Sequence, residues 1–211
     1  MSVNLQKGQK VDLTKGNASL KRIMVGLGWD EADSPNQKKG FLGSLLGGSP
    51  KQDIDCDASA IMCCNGGKLE GGNVQNALTK DIVYFGNLSH SSGCVKHMGD
   101  NLTGAGEGDD EQIFVSLQDV PSKYEKMVFV VNIYQARERK QHFGMISNAF
   151  IRIVDADTNR ELCKFNLSEN YNDMTAMLFG EVYRYQNEWK FSAIGQATAD
   201  GGIVETANRY I

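Results

Sequence analysis

Proline is scarce, with 3 residues in 211, while glycine is abundant at 23. Few segments hold a helical period for long, so a helical bundle is not expected. No apolar run approaches the ~20 residues that a helix needs to cross a bilayer, so no transmembrane segment is expected. The opening residues, MSVNLQKGQK, lack the apolar core of a secretory signal. No basic run or stripe is present and the net charge is −4, which argues against a nucleic-acid partner. The cysteines number five, odd and scattered: Cys56, Cys63, Cys64, Cys94 and Cys163. That usage fits free thiols in a reducing cytoplasm rather than a disulfide framework.

What is there reads as mostly β. Apolar content of 41% and charge of 23% suit a globular chain. Many short apolar runs are cut by Gly, Asn and Asp turns. Residues 3–13 read as two short edge strands around Gly8. Residues 22–29 (RIMVGLGW) read as a strand whose two glycines mark a bend or a close backbone approach. Residues 126–134 (KMVFVVNIY) form a nearly continuous apolar run, as in a buried central strand. Two hairpins follow, turning at DADTNR (155–160) and QNE (186–188). Short helices are expected near 135–143 and 201–211. Residues 36–52 read as a Gly-rich loop insertion carrying FLGSLL, which either packs on the surface or meets a partner or a lipid head-group layer.

The chemistry concentrates in residues 99–111, GDNLTGAGEGDDE. This stretch carries Asp100, Glu107, Asp109, Asp110 and Glu111 and no basic residue, with Asn101 and Thr103 as neutral oxygen donors. Two carboxylates ~5 Å apart repel by about 1–3 kcal/mol, so such a loop either stays open in water or holds a cation. An all-oxygen donor set suits Ca²⁺ first, then Mg²⁺ or Mn²⁺. It is not an EF-hand: Leu102 and Gly104 stand at the third and fifth positions, Ala105 replaces the obligatory glycine, and a strand follows. Residues 53–64 (DIDCDASAIMCC) place Asp53, Asp55 and Asp57 on one strand face, a second half-site for the same cation or an adjacent one. Asp30, at the end of a strand, is either a turn residue or a further donor. With this many acids two neighbouring ions are expected.

Two other clusters read as weaker. His90, Cys94 and His97 fall one ligand short of a zinc site. Cys63 and Cys64 are adjacent, and a strand sends one thiol to each face.

The motifs SVNLQKGQKVDL, VGLGWD, DIDCDASA, GDNLTGAGEGDDE, FVVNIY, FGMISNAFIRI, TAMLFGEVYR and WKFSAIGQ span nearly the whole chain. Together they resemble the TerD family of bacterial tellurium-resistance and general-stress proteins. The resemblance implies a single domain over residues 1–211, a β-sandwich of two packed sheets with a few short flanking helices. It implies bound Ca²⁺ held by the acidic loop and by Asp55 and Asp57, a cytoplasmic stress-response role with other stress-response proteins as partners, and no enzyme activity. Departures are the inserted segment 40–50, Ala105 where many members carry an acid, and Cys56 where a larger apolar residue is common. Three rival readings are a calcium-dependent membrane or protein adaptor using the 40–50 loop, a metal-dependent hydrolase, and tellurite chemistry at Cys63 and Cys64. The hydrolase reading lacks an evident nucleophile or general base near the acids.

Overall fold

A computed structural model of the chain describes residues 2–31, 54–99, 108–167, 169 and 171–211. The 36–52 insertion, Asp53 and residues 100–107 lie outside that set. In chain order the described strands are β1 (Val3–Leu5), β2 (Lys10–Asp12), β3 (Arg22–Glu31), β4 (Cys56–Cys64), β5 (Ile82–Val83) and β6 (Val95–His97). They continue with β7 (Glu111–Ser116), β8 (Tyr124–Ile133), β9 (Ile146–Asp155), β10 (Arg160–Asn166), β11 (Ala176–Tyr185) and β12 (Glu188–Thr198). Three short helices join them: α1 (Val74–Ala77), α2 (Ala136–Arg139) and α3 (Ile203–Ala207).

The strands form two six-stranded sheets, ordered β1-β10-β9-β3-β7-β6 and β2-β12-β11-β8-β4-β5. The mostly β expectation and the sandwich both hold. Period-two alternation builds the core between the sheets. Ile23, Val25, Leu27, Ile113, Val115, Ile151 and Ile153 face inward from the first sheet. Ala58, Ala60, Met62, Phe129, Val131 and Phe179 meet them from the second. β8 is buried on both faces, because Val128 and Val130 on its other side pack under α3 and α1 with Ile61, Cys63 and Ala207. Hence its apolar run does not alternate.

The opening segment edges both sheets. β1 pairs with β10 and β2 with β12. The chain changes sheets at Gly8, whose φ of +82° suits a residue without a Cβ. The β11–β12 hairpin turns at Gln186 and Asn187, both with positive φ, the pattern of a type I′ turn whose twist matches the strands. β4 and β8 are antiparallel with Cys56 opposite Ile133, and β7 pairs with β3 up to Leu27–Glu111. Two short elements, β6 and α1, carry no readable period in the sequence.

Candidate metal centre

The acidic stretch enters the described structure at Gly108 and becomes β7 at Glu111. Its last three acids leave the backbone in three directions. Asp109 lies over the outer face of the first sheet, across Gly26 of β3, where a Cβ would overlap its carboxylate. Arg152 of β9 grips it with two bonds: Nε donates to Oδ1 at 2.6 Å and Nη2 to Oδ2 at 2.9 Å. Gln112 Nε2 adds a third at 3.2 Å. The Asp109 side chain is 0% exposed, so this two-pronged ion pair is largely shielded from water. The close approach expected from the β3 glycines is thus found: Gly26 admits Asp109 and Gly28 admits the Phe150 ring.

Asp110 closes the end of the β3–β7 pairing. Its N–H donates to the Leu27 carbonyl at 2.8 Å, and its Oδ2 accepts the Trp29 N–H at 2.7 Å. Burial pushes its carboxyl pKa up, and the charges of Asp30 and Asp109 add to the rise against the pull of the Trp29 bond. Glu111 turns inward between the sheets. Its Oε2 sits 2.8 Å from His97 Nε2, with both side chains nearly fully buried. His97 Nδ1 accepts the Gly99 N–H at 3.0 Å, so the network assigns the proton to Nε2, which donates to the Ala58 carbonyl at 3.2 Å with the Glu111 carboxylate beside it. The downstream end of the loop is therefore tied to β9 by Asp109, to β3 by Asp110 and, through His97, to β4.

The second acidic element stands at the start of β4. Asp57 is opposite Asn132 of β8 and lies on the outer face of the second sheet, with Ser59 beyond it. Asp55 precedes the strand, and its carboxylate is 3.8 Å from Arg139. Between them Cys56 points into the core. Burial raises its thiol pKa, and the carboxylates of Asp57, Asp55, Asp110 and Glu111 raise it further. That thiol marks where the two acidic elements come together, at one end of the sandwich. Asp30, at the β3 end, accepts from Asn148 Nδ2 at 2.8 Å.

Of the nine side chains expected to ligate, Asp100, Asn101, Thr103 and Glu107 lie outside the described residues. Asp109 and Glu111 are engaged by Arg152 and His97, while Asp110 keeps only the Trp29 bond among the described residues. Among the described residues no three His, Cys, Asp or Glu side chains are grouped as a metal site. The donor chemistry at this end is all oxygen, which fits a hard cation. Arg152 and His97 were not foreseen as partners; an arginine inside the apolar run FIRIV was the available signal. Of His90, Cys94 and His97 only the first two meet, with Cys94 Sγ 3.8 Å from His90 Nδ1, while His97 stands beside Glu111. Cys63 and Cys64 do face opposite sides of β4, Cys63 under the helices with its pKa pushed up to about 12 by burial, and Cys64 against the main core.

A model of the TerD domain matches residues 1–210. The chain belongs to the TerD family. It is 49% identical over 211 residues to stress response protein SCP2 of Bacillus subtilis, covering all of both chains. It is 42% identical over 210 residues to tellurium resistance protein TerD of Serratia marcescens, covering 100% of this chain and 97% of that one. A solved structure of a homologue of telluride resistance protein (TerD) from Streptomyces coelicolor A3(2) superposes with a TM-score of 0.55 at 18% identity, covering 86% of this chain and 92% of that one. That likeness concerns the fold. Among the described residues of this TerD-family chain, no helix is long and apolar enough to cross a membrane.

Proposed function

We propose that this chain is a non-enzymatic calcium-binding module of a cytoplasmic stress response, one that takes part in tellurium resistance by presenting a calcium-ordered surface to partner proteins. The observation that carries the reading is the division of labour at the start of β7. Asp109 and Glu111 are spent on Arg152 and His97 and act as anchors for the described end of the acidic stretch. Asp110 is held between them by Trp29 with its carboxyl group poorly compensated. The names of the relatives, stress response and tellurium resistance, supply the physiological context.

In this reading Asp110, Asp100, Asn101, Thr103 and Glu107, with Asp55 and Asp57 from the start of β4, hold Ca²⁺, as two neighbouring ions. The bound cation supplies positive charge that offsets carboxylate repulsion. The chain's own residues do the rest: Arg152 holds Asp109 against β9, His97 holds Glu111 against β4, and Trp29 aims Asp110. A ligand at a hundredfold over its dissociation constant stabilises the fold by about 2.7 kcal/mol.

Calcium titration by calorimetry on chelator-stripped protein tests it. Binding with a dissociation constant of about 10⁻⁷ to 10⁻⁵ M is expected, with Mg²⁺ weaker. Absence of heat at millimolar calcium would refute the reading and leave the family assignment as fold alone.

A further inference from the structure

A second cluster of reactive groups lies in the turn before β6. His90, Asp81 and Tyr124 are all buried, while Ser92 stands exposed in the same turn as His90. The Ser92 Oγ lies 2.7 Å from His90 Nδ1. That nitrogen already accepts the Ser92 N–H at 3.1 Å, so it carries no proton and the hydroxyl must donate to it. The ring proton is then on Nε2, which donates to the Tyr124 oxygen at 3.2 Å. Tyr124 donates its own proton to Asp81. The donors thus all point inward, from an exposed hydroxyl to a buried carboxylate.

A nucleophile, a base and groups that orient the base follow one another in this order. If the hydroxyl gives up its proton, His90 becomes an imidazolium, and the Asp81 carboxylate, 3.7 Å from Nε2, faces that charge. The Cys94 N–H donates to Ser92 Oγ at 3.4 Å and helps to hold the oxygen. Gly93 and Cys94, the next two residues, line a cavity of about 270 Å³ over the outer face of β6 and β7. Met98 and Phe114 give it an apolar wall, Arg22 and Lys96 bring two cations, and no Asp or Glu lines it among the described residues. Arg22 is paired with Asp157. Lys96 is exposed and has no ion-pair partner among the described residues.

We propose that Ser92 is a nucleophile that takes an acyl group from a small acyl phosphate, an activated donor with an apolar chain and an anionic leaving group. The Ser92 oxygen bonds to the carbonyl carbon while its proton moves to His90 Nδ1. The bond from that carbon to the phosphate oxygen breaks, and its electron pair leaves with the phosphate. His90 then returns the proton to the phosphate or to water. Lys96 matches the charge of the phosphate, and Met98 and Phe114 match the acyl chain. Asp81 and Tyr124 position the base and touch no substrate. Burial keeps the His90 pKa below its usual 6.5 against the pull of Asp81, and the charge of Lys123 lowers it further, so the base is neutral at pH 7. The Cys94 thiol, 3.8 Å from Nδ1, stays protonated because burial raises its pKa. The product is one ester per chain, and the inference stands apart from the calcium reading.

Acetyl phosphate is the probe, applied to the full-length chain. Peptide mass spectrometry locates the acetyl groups, and hydroxylamine removes esters while sparing lysine amides. Ser91, exposed in the same turn and without a histidine partner among the described residues, is the internal comparison. Ser92 is expected to react at least about a hundredfold faster than Ser91, the scale of general-base assistance. Its rate should level off above about pH 6.5, where His90 is neutral, and fall below the His90 titration. Ser92→Ala, an exposed change, should remove the ester and leave the melting temperature unchanged. His90→Gln should slow labelling at least about a hundredfold, and Tyr124→Phe should lower the plateau without abolishing it. Equal labelling of Ser91 and Ser92 would overturn the proposal, as would a phosphoryl group on Ser92 in place of an acetyl group. A wild-type rate that climbs in proportion to hydroxide would overturn it too, since an unassisted hydroxyl behaves that way, and that profile decides the matter even if the His90 variant fails to fold.

Discussion

His90 and His97 lie between the same two sheets, one before β6 and one at its end, and each meets a carboxylate. The His90 end is closed on itself. Tyr124 donates its hydroxyl proton to Asp81. His90 Nε2 donates to the Tyr124 oxygen at 3.2 Å, and its Nδ1 accepts the Ser92 N–H at 3.1 Å. At this end each of these groups has a hydrogen-bond partner among the described residues. The His97 end is open. Glu111 lies 2.8 Å from His97 there, and its neighbour Asp110 is held by one backbone bond beside Asp30 among the described residues. A carboxylate that the fold has partnered is structural; the calcium proposal rests on the acids the fold has positioned and left undercompensated.

Changes at the anchors should have the largest effect. Arg152→Ala leaves the covered Asp109 carboxylate without its guanidinium. A loss of about 3 kcal/mol is expected by urea denaturation, with Arg152→Lys intermediate because the two-pronged geometry is lost. If Arg152→Ala costs nothing, Asp109 is no anchor and belongs with the open acids. At the closed end, Tyr124→Phe removes the donor to Asp81 and the acceptor for His90. About 1–3 kcal/mol should be lost, with no change in calcium affinity. A change in affinity would show that the two ends are coupled.

The closed end also predicts a pH dependence. Burial lowers the His90 pKa below its usual 6.5, against the pull of Asp81. The folded chain therefore binds that proton less readily than the unfolded chain. Stability is fully present above about 6.5 and declines as pH falls below it, by at most about 1.4 kcal/mol per pH unit for one group. His90→Gln should flatten that decline in melts between pH 7 and the acid limb; an unchanged slope would assign the decline to other groups. Glu111→Gln should be the mildest of these changes, costing about 1 kcal/mol, because the amide keeps the side chain's shape and His97 keeps its bond to the Ala58 carbonyl.

The sandwich was legible where one residue type dictated one environment. The KMVFVVNIY run reads as a doubly buried strand because its apolar residues are continuous, and the QNE turn reads as a hairpin because Asn tolerates positive φ. Cys63 and Cys64 were placed on opposite faces by the period of a strand alone. Asp109, Asp110 and Glu111 were legible as acids but not in their directions. Those are set by Arg152, Trp29 and His97, which reach them only through the pairing of β3 with β9 and β7 and the stacking of β6 against β4. Such partners are non-local, so no window of sequence around the acids contains them. β6 and α1 escaped because three or four residues are too few to display a period.

The most direct test compares melting temperatures of wild type and Asp110→Asn, each stripped with chelator and then loaded with calcium. Asparagine keeps an oxygen for the Trp29 N–H and removes the buried charge. The account predicts that stripped Asp110→Asn melts above stripped wild type, because the uncompensated carboxylate is gone. It predicts that calcium raises the wild-type melting temperature by several degrees, as about 1 kcal/mol moves a domain of this size by about 2–4 °C, and raises the variant far less. Equal calcium shifts in the two proteins, or a stripped variant that melts well below wild type, would contradict it.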